Sequence, residues 1–175
     1  MGDFRQVHRF HLLDLCEGDG STQGKKNPMG YGIWNPTSRE YFSSKFPNHL
    51  QDPSIPIHIK EFICVIMAVK KWGPLWGGKQ INIFCDNDSV CDVIFYLKPK
   101  DPGMQVYLRE FLFWVCVYNF HPIVSKIGTK ENDVTNFSSH NFSEADANSF
   151  FAREHLPPQT KLHLTDSDFT LRADW

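Results

Sequence analysis

Cysteine pairs are missing from this chain. Its five cysteines, Cys16, Cys64, Cys85, Cys91 and Cys116, are odd in number, contain no C-x-x-C string and mostly sit inside apolar runs. They read as buried free thiols in a reducing compartment, which argues against a disulfide framework and a zinc-ribbon site. The eight histidines supply no H-E-x-x-H string, so that class of metalloprotease drops out and His58 reads as a residue ordering a helix start. No apolar run is long enough to cross a bilayer, and the opening residues are polar. The expectation is an intracellular protein, cytoplasmic or nuclear, with no membrane partner. The N-x-S/T strings at Asn87, Asn136 and Asn141 then read as chance matches. An excess of positive charge is missing too: the net charge is -2. Any nucleic-acid contact falls to a local patch instead of the whole surface. Internal repeats and low-complexity blocks are absent, which removes solenoid architectures.

At 175 residues the chain is long enough for one full core and too short for two large ones. The expected organisation is one domain over residues 1–155 and a C-terminal extension over 156–175 without a core of its own.

The informative stretch runs from Gln80 to Asp92, where an apolar run ends abruptly in acidic residues. Ile81, Ile83, Phe84 and Cys85 suit a strand covered on both faces, and Asp88 is placed to cap a helix marked by Val90, Val93, Ile94 and Leu97. Asp86 then stands at the carboxyl end of a buried strand. Open α/β sheets bind ligands at that end, although an Asp that merely starts a turn fits the same pattern.

Upstream, Phe10 to Cys16, Gly30 to Trp34 and Arg39 to Ser44 read as strands of an antiparallel meander. Residues 46–56 are rich in Pro, Asn and Asp, which argues against a helix. From Ile57 to Trp72 apolar residues recur at three and four, the spacing of a helix, with Glu61 near its start. An acid there has a purely structural reading as well, since it favours the helix dipole. Downstream, Met104 to Tyr118 marks a second long helix, and His121 to Ile127 is a short strand whose Pro122 points to a sheet edge or a strand start. Ser143 to Asp146 resembles the start of a further helix. A meander followed by crossovers predicts a mixed α/β fold, a sheet flanked by helices. If the first and fourth strands lie parallel and adjacent, Asp19 and Asp86 emerge together, and Glu61 leans over the same spot. Carboxylates crowded in that way repel unless a cation joins them, and hard oxygen ligands suit Mg²⁺ or Mn²⁺.

Several strings carry a family resemblance. Asp19-Gly-Ser21, Gly24, Asn27-Pro28 and Gly30-Tyr-Gly32 resemble the opening motif of ribonuclease H. His58-Ile-Lys-Glu61, Lys71-Trp-Gly73, Cys85-Asp-Asn87 and Lys130-Glu-Asn132 are similar to the ribonuclease H domain that follows the polymerase in retroelement reverse transcriptases, most of all in tyrosine-recombinase retrotransposons of the DIRS type. The similarity covers roughly residues 8–140, and four motifs in the right order are more specific than any one. The resemblance implies a ribonuclease H-like mixed five-stranded sheet and a metal-dependent endonuclease that cuts the RNA strand of an RNA/DNA hybrid during reverse transcription. It also implies a polymerase domain in the same polyprotein as a partner and two Mg²⁺ or Mn²⁺ ions roughly 4 Å apart.

Carried over by motif, Asp19, Glu61 and Asp86 are the metal-binding acids. The fourth acid departs from the pattern, because Asn136 occupies its place in Thr135-Asn-Phe-Ser-Ser-His140. An Asn carbonyl brings no charge and holds an ion more weakly. Asp146 is the alternative, supplied by a longer loop. The histidine that many ribonucleases H place near the leaving group is replaced by Lys126. Lys25, Lys26, Lys98, Lys100 and Arg109 are candidates for phosphate contact, a role that competes with plain solvation. The other class of function is a binding domain descended from such an enzyme, without catalysis.

Overall fold

The computed structural model of the chain describes residues 8–12, 30–99, 101–127 and 143–172, with the side chains of 8–12 excepted. Six strands form one mixed sheet: β1 (His8–Leu12), β2 (Gly30–Asn35), β3 (Glu40–Lys45), β4 (Gln80–Cys85), β5 (His121–Lys126) and the two-residue β6 (Thr160–Lys161). Their order across the sheet is β5-β4-β1-β2-β3-β6. The meander β1-β2-β3 is antiparallel, while β1, β4 and β5 run parallel to one another. Among the described residues the sheet therefore has six strands instead of the expected five. The sixth comes from the C-terminal segment, which lies parallel to the meander's outer strand.

Four helices accompany the sheet among the described residues: α1 (Ile57–Trp72), α2 (Asp88–Tyr96), α3 (Met104–Tyr118) and α4 (Glu144–Arg153). In α1 every residue from Ile59 to Val69 is buried, so this helix lies inside the fold, with α2, α3 and the sheet around it. Phe62 meets Phe111 of α3 with ring centroids 5.9 Å apart. Two positions show how both faces of the sheet are covered. Ile33 and Phe42 join the main core with α1, whereas their chain neighbours Trp34 and Tyr41 pack with Ala147, Phe150 and Phe151 of α4. Successive strand residues point to opposite faces, so α4 covers the side that α1 does not.

The described part of the C-terminal segment beyond residue 155 completes the main core. Thr160 and Leu162 donate backbone N–H groups to Arg39 and Tyr41 carbonyls. Phe169 is buried against Tyr31 and Phe46 at centroid distances of 5.4 and 6.2 Å. Lys70 Nζ of α1 donates to the Asp168 and Thr170 carbonyls at 2.9 and 3.2 Å, and Arg172 N donates to buried Glu110 of α3 at 3.2 Å. The segment straps strand, helix and helix together.

Three local expectations need correction. The cap of α2 is Asn87, whose Oδ1 accepts from Ser89 N at 2.8 Å and Val90 N at 3.3 Å, and Asp88 is the first helical residue. Asp88 instead pairs with Lys126 across to β5 at 2.6 Å. Strand β4 is fully buried on one face only: Ile81, Ile83 and Cys85 are inside, while Asn82 and Phe84 are half-buried. Cys116 is exposed and Cys91 half-buried, so the thiols are free among the described residues but not uniformly inside.

Candidate metal centre

Asp86 follows β4 directly, and Asn87 then turns the chain into α2, so the carboxylate stands at the carboxyl end of the strand. Neighbouring β1 runs the same way, with His11 opposite Phe84, and β5 is in register with Lys126 opposite Cys85. The three parallel strands thus leave the sheet at one end. Glu61 approaches that end from above. It sits in the second turn of α1, beyond the first turn where the dipole explanation applies, and that turn holds no acid. Its side chain is nonetheless buried, at 7% exposure.

One ligand atom each from Glu61, Cys85 and Asp86 lie within 4.8 Å of one another. Glu61 Oε2 and Asp86 Oδ1 are buried oxygens. Burying two carboxylates this close is costly in the absence of a cation, and a divalent ion answers both charges at once. The chemistry of the oxygen pair fits a hard cation, while the thiol adds a ligand type such a cation does not use. Hydrogen bonding with the Cys91 thiol and burial push the Cys85 thiol well above its ordinary range, and burial with the Glu61 charge does the same to Cys64. Both thiols keep their protons at neutral pH unless an ion displaces them.

Of the residues expected at the site, Glu61 and Asp86 are brought together, and Asp19 and Asn136 lie outside the described residues, as do Lys25, Lys26 and Lys100. Lys98 and Arg109 are exposed, on the linker after α2 and on the outer side of α3. Lys126, in the place of the expected histidine, is held above the usual lysine range chiefly by the Asp88 carboxylate, with Asp86 contributing. His58, in the first turn of α1, makes a 3.0 Å contact from Nε2 to Asp101 Oδ2 in the turn ahead of α3. Sequence reasoning did not place Cys85 at the site. The available signal was its position beside Asp86, which was outweighed by an apolar context that marks a core thiol.

Asp146 has a structural task. Ser143 donates its backbone N–H and its hydroxyl to Asp146 Oδ2 at 2.9 and 2.6 Å, and Asp146 N donates to Ser143 Oγ at 3.1 Å, which makes a capping box at the start of α4. These bonds from Ser143 hold the Asp146 carboxyl below its ordinary 3.8. A carboxyl held lower in the folded state adds stability above its ordinary value and loses it as pH falls through the folded one. The parent should therefore melt above an Asp146→Asn variant at neutral pH, and thermal melts should converge as pH drops below 3.8.

No protein-family model matches the chain, and no curated protein matches it.

Proposed function

We infer that the chain is a ribonuclease H-type endonuclease that cuts the RNA strand of RNA/DNA hybrids with Mg²⁺ or Mn²⁺. The observation that carries this reading is the meeting of Glu61 and Asp86 at the carboxyl end of β4, two acids that the motif resemblance named from separate parts of the chain. A second support is the strand order β3-β2-β1-β4-β5, an antiparallel meander leading into parallel strands, with helices on both faces. We read that arrangement as a ribonuclease H-like sheet carrying one added strand.

In such a site the two ions, when bound, supply an activated water and neutralise the leaving oxygen. Glu61 and Asp86 would hold and position ions, with Asp19 completing the set from the motif after β1. Burial of Glu61 limits competing water around its carboxylate and strengthens its pull on a cation. Lys126, at the end of β5 and paired with Asp88 at 2.6 Å, would reach a phosphate oxygen of the substrate only by leaving that carboxylate.

The test is cleavage of an end-labelled hybrid across a Mg²⁺ and Mn²⁺ titration. Cuts confined to the RNA strand and dependent on metal support the reading. An inert protein with either ion favours the second reading, a non-catalytic nucleic-acid or protein-binding domain, for which neutral Asn136 is the specific support. In an active protein, Asn136→Asp restores a charged ligand for the weaker ion. Activity should rise several-fold at low Mg²⁺ and converge with the parent at high Mg²⁺, because only occupancy changes. Asp146→Asn should leave hybrid cleavage unchanged at a temperature well below its melt, since its carboxylate serves α4. Loss of cleavage there, with Asn136→Asp silent, would make Asp146 the fourth acid.

A further inference from the structure

We propose that the centre between α1 and β4 is a mixed oxygen and sulfur site: Cys85 Sγ joins the Glu61 and Asp86 carboxylates to take a thiophilic divalent cation of the zinc and cadmium class, which displaces the hard ions of the nuclease reaction. The proposal deepens the nuclease reading and shares its two carboxylates.

What carries it is the placement of sulfur. Cys85 occupies the face of β4 that Ile81 and Ile83 bury, and all three belong to the core built around α1. Glu61 projects from α1 into the same space, and the strand ends there, so the next residue, Asp86, turns its carboxylate back to the pair. Three ligand atoms of two chemical kinds then stand within 4.8 Å of one another. Ligands on one tetrahedral zinc ion, at 2.0 to 2.3 Å from it, are roughly 3.5 Å apart. The set closes on an ion with movements of about an ångström, the scale of a side-chain torsion adjustment within one rotamer well. Neither an acidic pair nor a single thiol would make this selection.

Ion choice follows from ligand softness. Magnesium takes oxygen at about 2.1 Å in an octahedron and gains nothing from a thiol, so it uses the carboxylates and leaves Cys85 protonated. Zinc and cadmium gain a thiolate bond. When one binds, the metal–sulfur bond forms as the Sγ–H bond gives its proton to solvent, and no oxidant or reductant is consumed. The three ligands then carry a charge of -3 against the ion's +2, which favours a fourth, neutral ligand such as water. Near-complete burial of Cys85, 1% exposed, shields the bond from exchange with soluble thiols.

Cadmium chloride titrated into the full chain, with sulfur-to-cadmium charge-transfer absorption as the readout, tests the site without reference to catalysis. The parent should show a saturable absorption with a stoichiometry of one ion. Cys85→Ala should lose it. Glu61→Gln keeps all five cysteines, yet should weaken binding at least about tenfold, since even outer partners of metal ligands contribute that much. No saturable absorption in the parent, or unchanged affinity in Glu61→Gln, overturns the proposal. Absorption retained in Cys85→Ala does the same. Should Cys85→Ala fail to fold, Cys85→Ser takes its place under the same criterion. Cadmium binding without magnesium-dependent cleavage leaves the proposal standing and removes the nuclease reading, while cleavage without cadmium absorption does the reverse.

Discussion

Asp86→Asn should lower hybrid cleavage by at least about a thousandfold, or ~4 kcal/mol of transition-state stabilisation, while the fold survives. The substitution removes one charged ligand and keeps the side chain's shape. The helix that follows does not depend on it, because Asn87 caps α2. Without metal, the melting temperature should hold or rise, since one of two close carboxylates loses its charge and the repulsion on Glu61 falls. Kinetics and a metal-free thermal melt on the same preparation separate the two effects. Unchanged turnover would remove Asp86 from the mechanism. A large fall in melting temperature would assign it a structural role instead.

Phe169→Ala should produce the largest loss of stability among single side-chain truncations in the C-terminal segment, about 3 to 5 kcal/mol. For a chain of this length that corresponds to a drop of roughly 6–20 °C in melting temperature. The ring is 5% exposed and fills the space between Tyr31 and Phe46. Its loss also weakens the strap that Lys70 holds through the Asp168 and Thr170 carbonyls and that Arg172 extends to Glu110. Denaturant unfolding reads the change directly. A loss below about 1 kcal/mol would mean that the segment rests on the core without completing it.

Local pattern explains what was legible before coordinates. Helix α1 has apolar residues at three and four and begins after Pro56, so its limits, Ile57 and Trp72, agree with the reading. Strand β4 was visible as an apolar run ending in acids, and Pro122, which cannot donate to a ladder, pointed to a sheet edge or a strand start for β5, which is an edge strand. The meeting of Glu61 with Asp86 was legible from the order of the elements, a crossover helix between parallel neighbouring strands, and from the motif resemblance, although no spacing rule connects residues in two elements. The C-terminal strap was not legible, for a physical reason. Strand β6 has two residues and no periodicity, and Phe169 sits in a polar string, Asp166-Ser-Asp-Phe, whose burial depends entirely on a pocket between Tyr31 and Phe46. Asn87 and Asp88 are both capping residues, so sequence alone did not separate them. The hydrogen bonds to Ser89 and Val90 do.

The same limit applies to Cys85. A thiol in an apolar strand is most often core, and only the approach of α1 turns this one toward two carboxylates.

The most direct measurement of the central claim is anomalous diffraction from crystals of the full chain soaked in manganese chloride. The account predicts an anomalous peak roughly 2.2 Å from carboxylate oxygens of both Glu61 and Asp86, with the ion lost in an Asp86→Asn crystal. Saturating manganese with no peak between these two residues, or a peak there that persists unchanged in Asp86→Asn, would contradict it.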